Sequence, residues 1–169
     1  MYFMKYVNYY QSPLGNILLA ADETGLTGLW FEGQKYYAKG LNTDFMTKKI
    51  PVFEETKHWL DIYFSGNEPD FTPPLHLVGT DFQEDIWEIL LKIPYGHTTT
   101  YSGIAKEVAA NRGLKNMSAQ AVGGAVGRNP ISIIVPCHRV IASNGSLTGY
   151  AGGIDKKTYL LEIEKTGEI

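Results

Sequence analysis

The stretch "NEPDFTPPLHLVGT", residues 67–80, holds three prolines in fourteen positions. Each proline fixes φ, removes a backbone donor and disfavours helix at the residue before it. No helix runs through such a segment, so it predicts an extended linker between two differently patterned parts. Before it the chain reads mainly as strand, and after it mainly as helix. That segregation predicts an α+β protein of two domains, residues 1–78 and 79–169. A chain of 169 residues, 44% of them hydrophobic, suffices for one good core or for two small lobes sharing an interface.

In the first part "MKYVNYYQ" is rich in aromatic and β-branched residues and "SPLG" is a turn signal. "NILLAAD" and "LTGLWFEG" continue an antiparallel meander. Then "PVFEETKHWLDIYFSG" places Phe53, Leu60 and Phe64 on one helical face, in a helix that Pro51 opens and Gly66 ends. In the second part "TDFQEDIWEILLKIPYG" carries Phe82, Ile86, Ile89, Leu90 and Ile93 at helical spacing, with Thr80 or Asp81 as cap. "TTTYSGIAKEVAA" and "MSAQAVGGAVGRN" are two short helices around the break "NRGLKN", a helix-turn-helix candidate with Ser118 as a cap. "ISIIVP" and "RVIAS" read as short strands, "NGSLTGYAGG" as a turn-rich wing, and "DKKTYLLEIEK" as a closing helix.

The "QAVGGAVG" helix is short of side-chain bulk. An interior glycine costs roughly 1 kcal/mol against alanine. Three of them suit close packing on another helix, loss of the helix, or close approach to a nucleic-acid backbone or narrow groove. Charge points the same way. Residues 1–91 carry 6 Lys against 13 Asp and Glu, while residues 92–157 carry 8 Lys and Arg against 2 Asp and Glu. Such a block suits a polyanion-facing surface, or a solvated face balanced by its acidic neighbour. There is no apolar run long enough for a membrane span and no secretory h-region at the start. A single cysteine excludes an internal disulfide and Cys-rich zinc sites, and fits a reducing cytoplasm. Neither a metal nor another cofactor is expected, and the default is a monomer.

That cysteine, Cys137, lies in "IIVPCHRVIA" between a proline and two basic residues. A free thiol is only about 3% thiolate at neutral pH, so a reactive one needs a base or a positive environment. His138 is the base at hand, directly or through a water. A histidine base wants an orienting carboxylate, and the closing helix offers Glu162 and Glu164. A lone cysteine is otherwise a buried inert thiol, and the basic neighbours argue against that.

At these residues the sequence resembles the O6-alkylguanine-DNA alkyltransferases. "PCHRV" looks like their active-site signature. The likeness is strongest from "TDFQEDIWEILLKIPYGHTTTYSGIA" through "AVGGAVGRNPISIIVPCHRVIASNGSLTGYAGG" to "YLLEIE". The resemblance implies a ribonuclease-H-like N-terminal domain and a winged helix-turn-helix C-terminal domain. It implies Cys137 as acceptor, His138 as base through a water, Glu164 orienting it, and Asn129 holding the turn behind the active site. Tyr101 would meet guanine N3. Tyr150, with Ala151 and Gly152 of the wing, would wall the base pocket, and the carbonyls of Cys137 and Val140 would read the exocyclic amine. Ala121, Gly123 and Gly124 would enter the minor groove of duplex DNA, with Arg128 and Arg139 among the DNA-facing residues. Members usually carry arginine immediately before "AVGG", filling the place of the flipped base; this sequence has Gln120.

The implied activity is suicide repair, in which alkyl passes from O6-alkylguanine, and O4-alkylthymine as an open second substrate, to the protein. Three rivals are a DNA-damage flag without transfer, a Cys-His-Glu hydrolase and a transcriptional DNA-binding module. Cys137 counts against the first, the basic block and the small-residue helix against the second, and the Cys-His pair against the third.

Overall fold

The computed structural model describes residues 5–35, 37–38, 45–147 and 149–167; Met4 of the first expected strand and Thr148 of the wing lie outside them. The first three strands, β1 (Lys5–Ser12), β2 (Gly15–Ala21) and β3 (Leu26–Phe31), form the antiparallel meander that their composition predicts. β2 is buried on both faces. Ile17, Leu19 and Ala21 enter the main core, while Leu18 and Ala20 join Val7 and Trp30 in a small second cluster. Trp30 lies across its own strand, because a Cβ at Gly28 would fall 2.0 Å from the indole ring. A three-residue strand, β4 (Phe45–Thr47), adds to β1 in parallel, so the sheet is mixed, in the order β3-β2-β1-β4. Three residues are too few to show a two-residue period, which is why the sequence reading has no β4.

α1 (Pro51–Phe64) starts with Pro51 in its first turn and buries Phe53, Leu60 and Phe64 as its spacing requires. The proline-rich linker is not a loose spacer. Leu26 N–H donates to Pro74 O at 2.8 Å and His76 N–H to Leu26 O at 2.7 Å, so the linker runs along the outer edge of β3. Further along that edge Leu29 N–H donates to Pro130 O at 2.8 Å and Ser132 N–H to Leu29 O at 3.0 Å. The segment before the cysteine is thereby stitched to the N-terminal sheet, and an exposed strand edge is covered.

The C-terminal lobe is helical. α2 (Asp81–Leu91) opens with a reciprocal cap in which Thr80 and Gln83 satisfy each other's backbone amides. α3 (Tyr101–Asn111) and α4 (Ala119–Gly127) are capped by Thr100 and Ser118. Trp87 Nε1 donates to Ala125 O at 2.9 Å and ties α4 to α2. The two-residue strands β5 (Thr99–Thr100) and β6 (Val140–Ile141) pair in parallel, and α5 (Ile154–Thr166) closes the chain. Among the described residues no helix is long and apolar enough to cross a membrane.

The expected strand over "ISIIVP" is absent. Ile131 makes one isolated bridge to Leu29, Ile133 has φ of 71°, and Cys137–Arg139 form a single 3-10 turn. The expected strand over "RVIAS" shrinks to β6. A β-branched run records burial, and here residues 131–140 are all buried in a tight coil rather than a ladder. One core cluster, from Ile17 of β2 to Ile163 of α5, runs through both lobes.

Candidate active site

The coil before Cys137 is built around Asn129. Its Nδ2 donates to Val135 O at 2.7 Å and its Oδ1 accepts from Ile131 N–H at 3.0 Å. One buried amide thus holds both ends of a segment that Pro130 and the left-handed Ile133 keep out of regular structure. The 3-10 turn, not a strand, then sets the relation of Cys137 to His138. Both are buried.

His138 Nε2 meets Glu164 Oε2 at 2.5 Å. Burial pushes the Glu164 carboxyl up, but the hydrogen bonds and charges of His138 and Arg139 outweigh it and hold it at about 2. Burial also lowers His138, against the upward pull of Glu164. At neutral pH the pair is therefore a neutral imidazole and an ionised carboxylate. A carboxylate only accepts, so Nε2 carries the proton and Nδ1 is a bare lone pair. Nδ1 is buried with no hydrogen-bond partner among the described residues. That is the atom able to take a proton.

Glu164 is fixed by further donors. Arg139 Nε reaches Oε1 at 2.8 Å and its Nη2 reaches Oε2 at 3.2 Å, while Gly96 N–H donates to Oε1 at 3.1 Å. Arg139 Nη1 also donates to Ile93 O at 2.7 Å. Burial pushes the Cys137 thiol up, while Asn129 and Lys157 pull it down. The resting group is thus a thiol, and its thiolate has to be made when it reacts. Burial and the nearby Cys137 charge push the Tyr101 phenol up. Tyr150 is buried edge-on to the His138 ring, with centroids 6.5 Å apart. Tyr101 also faces Gly123 of α4 and Gly149 of the wing: a Cβ at Gly149 would lie 3.1 Å from the Tyr101 hydroxyl.

A buried thiol with a carboxylate-oriented imidazole, beside a phenol and a glycine-rich helix, fits nucleophilic transfer next to a surface for a large partner. Comparison with known proteins decides which transfer. The family model for the DNA binding domain of 6-O-methylguanine DNA methyltransferase matches residues 81–166. The model for its ribonuclease-like domain matches residues 5–77. The chain belongs to the methylated-DNA–protein-cysteine methyltransferases. A relative of that name from Methanosarcina acetivorans is 44% identical over 160 residues, 94% of this chain and 97% of its own. The crystal structure of Mycobacterium tuberculosis O6-methylguanine methyltransferase superposes with a TM-score of 0.82 at 42% identity, covering 98% of this chain and 96% of that one. The same organism's protein solved in complex with DNA gives 0.81 at 41% identity, covering 96% and 93%.

Methyltransferases of this family move a methyl group from DNA to a cysteine of their own chain, once. This one has a single cysteine to offer. The outward face of α4 carries Gln120, Ala121, Gly124 and Arg128, all exposed, with half-buried Gly123 between them. Beyond the helix's own backbone, a Cβ at Gly124 would come no closer than 3.7 Å to any atom, Arg128 Nη1, and one at Gly127 would have nothing within 4 Å. The glycines are therefore not demanded by packing within the methyltransferase. Ala151 and Gly152 are both half-buried at the end of the wing, where Ala151 O accepts from Lys35 N–H at 3.1 Å.

One sequence expectation changes. Arg139 is turned inward onto Glu164 and Ile93 O, and its buried guanidinium is not on the α4 face. The carbonyls of Cys137 and Val140 are already engaged, by Val140 N–H and by Lys157 Nζ at 2.6 Å. Each keeps one lone pair for another donor. Lys157 itself was missed by sequence reasoning. The signal was present: Lys157, Leu160 and Glu164 fall on one face of α5, so two charges share an apolar stripe.

Proposed function

We propose that Cys137 of this methyltransferase accepts the alkyl group of O6-alkylguanine, with His138 as base and Glu164 as its orienting carboxylate. The observation that carries the reading is the bare, buried Nδ1 of an imidazole whose other nitrogen is committed to an ionised carboxylate, one residue from the only thiol. His138 takes the thiol proton through a bridging water. The sulfur lone pair attacks the alkyl carbon, the carbon–O6 bond breaks, and guanine regains a proton. The product thioether is stable, so the protein is consumed.

A base inside a duplex cannot bring O6 to a buried sulfur, so the nucleotide is extruded. Tyr101 meets guanine N3 and Tyr150, with Ala151 and Gly152, walls the pocket. Cys137 O and Val140 O read the exocyclic amine with their remaining lone pairs. α3 and α4 act as a winged helix-turn-helix. Its bulk-free face, with Ala121, Gly123 and Gly124, lies in the minor groove, where degenerate readout suits a protein that scans any sequence. Gln120 fills the space left by the base, and Arg128 lies on the DNA side. Residues 1–78 are the ribonuclease-H-like domain and 79–169 the catalytic domain of a monomer. A reducing cytoplasm keeps the lone thiol free.

The test is an oligonucleotide carrying radiolabelled O6-methylguanine. Stable label on the protein at one equivalent supports the reading. Multiple turnover, or DNA binding without label, overturns it.

A further inference from the structure

α1 belongs to the N-terminal lobe, yet its last turn reaches the relay. The Tyr63 hydroxyl donates to Glu164 Oε2 at 2.6 Å, the same oxygen that receives His138. Tyr63 is fully buried. Its ring is stacked on Trp59 with centroids 5.3 Å apart and meets Phe64 and Tyr95 edge-on. Just beyond it, Gly66 packs directly on Gly167 at the end of α5: a Cβ at Gly66 would lie 2.2 Å from Gly167 O. The ends of α1 and α5 are thus in backbone contact, and the hydroxyl is held in place rather than swinging. Burial and the Glu164 charge both push the phenol well above 10, so it remains a donor at any working pH. The other donors to Glu164, namely His138, Arg139 and Gly96, come from the catalytic lobe.

We propose that Tyr63 is a positioning residue for alkyl transfer, through which the N-terminal lobe orients Glu164 and tempers its basicity toward His138. The proposal rests on the reading of His138 as the base. A strong donor on Oε2 drains charge from the carboxylate and weakens its pull on the Nε2 proton. Remove that donor, and Glu164 stabilises the imidazolium more. Nδ1 then binds a proton at higher pH and is lost as a base sooner on acidification. The titratable and charged groups facing the pair are Arg139, Lys157, Tyr63, Tyr95, Tyr150 and Cys137, and of these Tyr63 and Arg139 donate hydrogen bonds to Glu164.

The experiment is single-turnover transfer from O6-methylguanine duplex across pH, with full-length protein. Tyr63→Phe should be roughly fivefold slower near pH 6 and within about twofold of wild type near pH 8, because one charge-assisted hydrogen bond is removed. Its affinity for undamaged duplex should be unchanged. Phe53→Leu, which cuts core volume at the other end of α1, should lower stability and leave the pH profile where it was. Incorporating 3-fluorotyrosine at position 63 alone keeps the shape and makes the phenol a stronger donor. It should move the acid limb the opposite way, and it serves if Tyr63→Phe does not fold. A wild-type protein that never labels Cys137 overturns the functional reading and this proposal with it. A wild-type protein with a clear acid limb that neither substitution at position 63 moves overturns this proposal alone.

Discussion

The catalytic lobe has two working sides, and they are built on opposite rules. Around Glu164 the charged groups are buried and densely paired: one carboxylate collects His138, Arg139, Gly96 and Tyr63. On the outer face of α4 there is almost nothing, only exposed small residues with Gln120 and Arg128 at either end. The difference teaches where preorganisation is needed. On the proposed reading, a proton relay loses its function if a partner drifts, so both oxygens of Glu164 are held by more than one donor, whereas a surface for DNA needs backbone that can come close to many sequences. If this division is right, changes on the relay should slow transfer equally on free O6-methylguanine base and on duplex. Changes on α4 should act on duplex alone.

The largest effect is expected from Cys137→Ala. It should abolish transfer to both substrates while the protein still shifts duplex DNA in a gel. A methyl adduct found by mass spectrometry on the variant would break the assignment of the acceptor.

Glu164→Gln should come next. An orienting carboxylate is worth roughly 10⁴ in serine proteases with a Ser-His-Asp triad, and a thiol needs less help, so a slowing between about 10² and 10³ is expected on both substrates. Stability should also fall by about 3 kcal/mol, because Arg139 loses its buried counter-charge. The pH dependence follows from the direction of each shift. Glu164 sits at about 2 in the folded protein against an ordinary 4.5, so its stabilisation is complete above pH 4.5 and disappears as pH falls toward 2. His138 is lowered by burial from 6.5, so the unfolded chain takes up that proton first and acid destabilises in the same direction. Urea melts between pH 6.5 and 2 should slope steeply for wild type. The slope below pH 4.5 should flatten in Glu164→Gln. A large rate loss from Glu162→Gln instead would mean the wrong carboxylate has been named.

Lys157→Met tests the least expected member of the relay. The side chain is buried, of similar length, and its ammonium pulls the Cys137 thiol down. Removing one charged contact to a developing thiolate should slow transfer about tenfold on both substrates. A loss confined to duplex would move Lys157 to the DNA side of the comparison.

The smallest effect is expected at Gln120. Arginine can stack its planar guanidinium and attract phosphate where glutamine cannot. Gln120→Arg should therefore speed transfer on duplex roughly fivefold, a gain that shrinks with added salt, and leave the free-base rate unchanged. Equal duplex rates for wild type, Gln120→Arg and Gln120→Ala would show that position 120 does not limit extrusion.

Much of the frame was legible in the chain. The meander, α1 from Pro51, the capped α2 and the Ser118 cap of α4 are local events, written in caps, prolines and side-chain period within a dozen residues. The pairing of His138 with Glu164 was legible as a choice between two carboxylates, because the resemblance and the closing helix both pointed there. Other features were decided only when distant segments met. The apolar run before Cys137 looks like a strand, but Asn129 and the β3 edge hold it as a coil, and no pattern within the run records those partners. The resemblance puts Arg139 among the DNA-facing residues; it faces inward because the buried Glu164 carboxylate, 25 residues on, takes it as its cation. Tyr63 reaches that carboxylate from 101 positions away. Sequence periodicity reports which side of an element is buried. It does not report what lies opposite, and for a buried charge the opposite partner determines whether it is ionised, which way it points and what it can do.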